Sequence, residues 1–130
     1  MNVVDSSGWL EFFLDGPNAP FFADALENTE NLVVPTVSIY EVFKRVAQQC
    51  GEDEALHKVA AMHQATVADL TTPIALDAAR LSLQLCLPMA DCLILATAHA
   101  FGATLWTQDS DFDGVDGVKY QPRRSAKPTE

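Results

Sequence analysis

Short apolar runs of strand length recur along this chain, and the stretches between them are mostly long enough for one or two helices. Val3-Val4 ends at Asp5 and Leu32-Val33-Val34 is stopped by Pro35; residues 66–70, 103–107 and 118–121 follow in kind. Helices are expected over 9–14, 21–28, 38–49, 52–64, 72–85 and 89–101. The punctuation is chemical: Asp15-Gly16-Pro17, Gly51 and Gly102 close helices, Pro20 and Pro73 suit first turns, and Thr72 reads as a cap. Strands joined through helices run parallel, because a parallel pair needs a crossover connection. The pattern predicts a single α/β domain, with a central parallel sheet of four or five strands flanked by helices. Right-handed crossovers then gather the strand C-termini on one edge, where ligand chemistry collects in such sheets.

The chain has 130 residues, enough for one domain with a core that needs no staples. The domain is expected over 1–121. Residues 122–130 carry three bases and two prolines and read as a flexible tail. A net charge of −10 with only eight Lys and Arg excludes a protein that grips nucleic acid by phosphate neutralisation alone. Any such contact is local, transient or bridged by cations. Cys50, Cys86 and Cys92 form no C-x-x-C pair and are expected to be small buried fillers in a reducing compartment. No basic leader and no apolar run of ~18 residues is present, so a cytoplasmic protein without a membrane span is expected.

Acids fall where this architecture brings chain segments together. Asp5 ends the first strand, Glu41 lies in the first turn of the helix after the second, and Asp91 lies in the first turn of the helix after Pro88. Asp109 and Asp111 follow the fourth strand. Each has an ordinary structural role open to it. Asp5 can cap a helix, Ser38-x-x-Glu41 is a capping box by spacing, Asp91 can complement a helix dipole, and Asp109-Ser110-Asp111 suits a turn. Together they point further. Two carboxylates ~5 Å apart at an effective dielectric of ~20 repel by ~3 kcal/mol, and a cluster ionised at neutral pH needs a cation. The donors are hard oxygens, which favours Mg²⁺ or Mn²⁺ over Zn²⁺. Such an ion, with phosphate oxygens completing its shell, suits phosphodiester hydrolysis.

Other residue types compete poorly. His57 and His63 are six apart rather than four, His99 sits within an apolar helix, and none matches a metal or triad motif. Lys44 and Arg45 flank Glu41 on its helix and either hold substrate phosphates or form a solvated face. Arg123 and Arg124 read more simply as a mobile basic tail than as substrate contacts. Trp9, Phe12, Phe13, Phe21 and Phe22 crowd the first 22 positions. Neighbours on a helix point ~100° apart, so some of this surface is expected to meet a partner chain, the alternative being a wide face buried under the next helix.

Four motifs in order, N-V-V-D-S-S-G-W-L-E-F at 2–12, S-I-Y-E-V at 38–42, A-D-C-L-I-L-A-T-A at 90–98 and T-Q-D-S-D-F at 107–112, resemble PIN domains. The nearest resemblance is to the VapC-type toxin ribonucleases of toxin–antitoxin pairs. It implies a Mg²⁺- or Mn²⁺-dependent endoribonuclease acting on single-stranded RNA, with Asp5, Glu41, Asp91 and Asp109 as metal-binding acids. Asp111 would assist, and Ser6 and Thr107 would orient ligands or water. It further implies a homodimer held inactive by a small VapB-like antitoxin over the first helices. A catalytically silent binding module of the same fold is the alternative. An aspartyl-phosphate receiver is disfavoured, because no lysine follows the acids at a strand end.

Overall fold

The computed structural model describes residues 1–125, so the expected tail lies outside the described residues from 126 onward. The elements alternate as expected. Strand β1 (Asn2–Val4) leads into α1 (Ser6–Phe13) and α2 (Ala19–Leu26); β2 (Leu32–Pro35) leads into α3 (Thr36–Cys50) and α4 (Glu52–Met62). Then come β3 (Thr66–Ala68), α5 (Thr72–Leu85), α6 (Met89–Ala100), β4 (Thr104–Thr107) and β5 (Val118–Tyr120). The five strands form one sheet in the order β3-β2-β1-β4-β5, and every pairing is parallel.

Strand periodicity divides the core. Val3, Val33 and Leu105 face one side, where the buried residues of α5 and α6 pack with Phe112. Val4, Val34 and Trp106 face the other, against Trp9, Phe22, Leu26, Val42, Val46 and Met62 from the first four helices. Alternation on a pleated strand produces this split, and it explains why the strands read as continuous apolar runs: both faces are covered.

Helix starts depart from expectation in instructive ways. Helix α1 begins at Ser6 rather than 9, because Asp5 caps it: the Asp5 carbonyl accepts from Gly8 and Trp9, and its side chain from Ser6 N. Helix α2 starts at Ala19, with Pro20 inside its first turn. Helix α3 starts at Thr36, directly after the proline that ends β2. Ser38 is thus inside the helix, fully buried with its Oγ unpartnered, and Glu41 sits in the second turn. No capping box forms. Helix α5 is capped by Thr71, whose Oγ1 accepts from Ile74 N, and Thr72 is its first residue.

One further expectation is corrected. Only Cys92 is buried; Cys50 and Cys86 are exposed, Cys86 in a left-handed conformation that ends α5. His99 is on the outer side of α6, 4.0 Å from Asp77, and His57 and His63 are also exposed. The N-terminal aromatics divide between an inner and a part-exposed set. Trp9 and Phe22 are buried; Phe12, Phe13 and Phe21 are half-buried, with Phe21 5.2 Å from the Trp106 ring. Among the described residues no single helix is long and apolar enough to cross a membrane.

Gly8 lets α1 approach the sheet. A Cβ there would lie 2.6 Å from both Phe22 Cε1 and Val4 Cγ1, side chains that are fully buried and cannot retreat. Gly8→Ala gains about 1 kcal/mol of helix propensity but meets an overpacking cost of about 3 kcal/mol. We expect a net loss of about 2 kcal/mol in urea unfolding. A stabilised variant would show that α1 sits further from the sheet.

Candidate active site

In the strand order the chain steps outward from β1 through β2 to β3, then returns to the other side of β1 for β4 and β5. The connections after β1 and β4 therefore diverge, which opens a crevice at their C-terminal ends. Asp5 is the residue after β1, and Gln108 and Asp109 follow β4. The resulting cleft, about 710 Å³, is lined by Asp5, Glu41, Asp91 and Asp109 together with Lys44 and Arg45.

Asp5 is buried and fixed by three donors. Its Oδ1 accepts from Ser6 N at 2.9 Å, and its Oδ2 accepts from Ser7 Oγ at 2.8 Å and Thr107 Oγ1 at 3.0 Å. Burial pushes its carboxyl above the usual carboxylate range; the Ser7 and Thr107 hydrogen bonds oppose this, and the charges of Asp109 and Glu41 reinforce it. Thr107 Oγ1 also accepts from Asp109 N at 3.0 Å, so one hydroxyl ties the end of β1 to the turn after β4. Asp109 Oδ1 then accepts from Asp111 N at 3.0 Å and caps a single 3₁₀ turn, which the buried Phe112 anchors. Ser6 Oγ donates to Glu41 Oε1 at 2.7 Å and so joins α1 to α3.

Asp91 arrives from the other face of the sheet, in the first turn of α6. Burial and then the charges of Asp5, Asp109, Glu41 and Asp111 push its carboxyl up to about 7. The other four acids are thus close enough to act on Asp91. The tightest group differs from the quartet expected from the motifs: Asp91, Asp109 and the exposed Asp111 each offer an oxygen within 4.8 Å of the others. Asp5 and Glu41 stand beside it, turned to hydroxyl partners.

This donor set fits a hard divalent cation. The three oxygens are close enough to share one ion, they carry no nitrogen or sulfur competitor, and burial together with the neighbouring acids raises the Asp91 carboxyl. None of the ion pairs among the described residues involves these acids.

The sequence reading missed a polar group behind the cleft. Glu11 Oε2 accepts from Asn18 N at 2.6 Å, and Asn18 Nδ2 donates to Gln108 Oε1 at 3.0 Å and to the Pro122 carbonyl at 2.9 Å. Gln108 Nε2 donates to Ser7 O at 3.3 Å. The only available signal was Gln108 between two site residues; its partners are about a hundred positions away.

Solved structures share this fold. A toxin–antitoxin complex from Klebsiella pneumoniae superimposes with a TM-score of 0.77 at 19% identity, over 92% of this chain and 96% of that one. The sarcin–ricin-loop-cleaving toxin VapC20 of Mycobacterium tuberculosis gives 0.73 at 14% identity, over 89% and 95%. DNA-bound VapBC from Salmonella typhimurium gives 0.72 at 14% identity, over 94% and 98%. No curated protein sequence matches the chain. The PIN-domain profile matches residues 3–118, which runs from within β1 to the start of β5 and takes in every acid of the cleft, and the chain belongs to the PIN-domain family.

Proposed function

We propose that this protein is a metal-dependent endoribonuclease that cuts single-stranded RNA, and that it is the toxin of a toxin–antitoxin pair. The observation that carries the reading is the meeting of Asp91, Asp109 and Asp111 within 4.8 Å, beside Asp5 and Glu41, at the switch point of the sheet. Asp91, Asp109 and Asp111, with Asp5 and Glu41 beside them, would hold Mg²⁺ or Mn²⁺. When bound, such an ion polarises a phosphate oxygen and lowers the pKa of water for in-line attack. The chain's own part is to keep the carboxylates in place. Thr107 locks Asp5 against the turn that carries Asp109, and Ser6 locks Glu41. Lys44 and Arg45 bring positive charge to the acidic cleft, so flanking phosphates have somewhere to sit.

The fold shared with toxin–antitoxin complexes and with a sarcin–ricin-loop-cleaving toxin supports the toxin assignment. A VapB-like antitoxin over the N-terminal helices, a homodimer and a cytoplasmic location belong to the same reading. The test is direct. The purified protein, offered a panel of single-stranded RNAs, should cleave with millimolar Mg²⁺ or Mn²⁺ and stop with EDTA. Absence of cleavage with every metal tried would leave a binding module.

A further inference from the structure

We propose that Arg123 is a substrate-phosphate contact on the far side of the acidic centre, held there by Asn18. This inference rests on the nuclease reading above. Sheet order supplies the geometry: α3 follows β2, the acids sit after β1 and β4, and Arg123 follows β5. The cleft spans that edge from Lys44 and Arg45 on α3, past Asp5, Asp91 and Asp109, to Arg123. Cations therefore flank the acids on both sides. A nucleic-acid strand crossing the edge meets the carboxylates at one phosphate and a cation on each side of it.

Arg123 is not a loose tail residue in this respect. The preceding residues continue the sheet edge, with Gln121 N donating to Thr107 O at 3.0 Å, and the Pro122 carbonyl accepts from Asn18 Nδ2 at 2.9 Å. Asn18 is itself buried, and its amide orientation is fixed because the Pro122 carbonyl can only accept. Its second bond, to Gln108, links the latch to the residue next to Asp109. Among the described residues Arg123 is in no ion pair. Lys58 pairs with Glu54 at 3.2 Å, Arg80 with Asp77 at 4.0 Å, and Lys119 lies 4.1 Å over the Trp106 ring, whereas no ion pair among the described residues involves Lys44, Arg45 or Arg123. Asn18 is thus a positioning residue that acts through Pro122, and Arg123 is the contact.

The test uses the full chain with a fluorescently labelled single-stranded RNA oligonucleotide that the native protein cleaves. Arg123→Gln should raise KM about fivefold to tenfold and leave kcat within about twofold, and the salt slope of log kcat/KM should flatten by about 0.7 for the lost phosphate contact. Arg123→Lys should restore the slope. Asn18→Ala, or Asn18→Ser if the alanine variant unfolds, should raise KM in the native background and have no further effect in an Arg123→Gln background. Native KM and salt slope in Arg123→Gln, or faster cleavage by it, would overturn the contact while leaving the nuclease intact. An Asn18 effect that persists without Arg123 would overturn the latch. A native chain that cleaves no RNA removes the underlying reading, and this inference with it.

Discussion

Asp91→Asn is expected to cut RNA at least about a thousandfold more slowly than the native chain at saturating Mg²⁺ or Mn²⁺. The size follows from what is removed. Asparagine keeps the shape of the side chain and its place in the first turn of α6 but removes the negative charge of one of three carboxylates whose oxygens meet within 4.8 Å. A missing carboxylate lowers occupancy of the ion and leaves charge in the transition state uncompensated, and losses of about 10²–10³ accompany even a single lost electrostatic donor. Asp5→Asn is expected to fall as far for a different reason. Its Oδ2 accepts from both Ser7 and Thr107, and an amide nitrogen at that position would turn a donor towards two hydroxyls and loosen the β1–β4 link. Cleavage is measured on one oligonucleotide, with circular dichroism to confirm folding. A folded Asp91→Asn protein that cuts within about tenfold of the native rate would reject the assignment of this site.

The fold was legible because its signal is local. Covered strands write themselves as apolar runs, and the helices between them are bounded by Gly and Pro, so strand identity and parallel order follow from the chain alone. The motif acids were legible for a related reason, since Asp5, Asp91 and Asp109 each sit at a strand end or helix start. What failed was whatever depends on side chains finding partners far away. The Ser38–Glu41 capping box has the right spacing, yet α3 starts at Thr36 and Glu41 instead takes a hydroxyl 35 positions away, Ser6 Oγ at 2.7 Å. Asn18 carries no signal in its own stretch of chain, and its Nδ2 holds the Pro122 carbonyl across a separation of 104 positions. Aromatic crowding in the first 22 residues left a partner surface and a face buried under the next helix both open, and a sequence does not show that α2 folds back on α1 and tucks Phe22 against Gly8. Nor does spacing distinguish an acid that faces its neighbours directly from one turned to hydroxyls, which is the difference between Asp111 and Asp5.

The same cluster makes an opposite prediction for stability, and here the sign depends on whether metal is present. In the metal-free protein the Asp91 carboxyl is held up to about 7, against an ordinary value of 3.8, by burial and by the charges of Asp5, Asp109, Glu41 and Asp111. Between those limits the folded chain keeps a proton that the unfolded chain has released. Folding is therefore favoured by acid, and stability is lost as pH rises through that window. Asp5, also raised, acts in the same direction. The metal-free unfolding temperature should thus fall by about 4 °C or more between pH 5 and pH 8, and Asp91→Asn should remove part of that fall and be the more stable protein at pH 8. Divalent cation reverses the trend, because it binds the ionised carboxylates and displaces their protons. Mn²⁺ at about a hundred times its dissociation constant adds about 2.7 kcal/mol, roughly 8–10 °C for a domain of this size. That gain should be largest at pH 8, should shrink at pH 5, and should be mostly absent from Asp91→Asn. Thermal scans with EDTA and with Mn²⁺ at both pH values decide the matter. A metal-free transition that ignores pH, or an Mn²⁺ shift that survives the loss of Asp91, would show that the carboxylates do not act as one electrostatic unit.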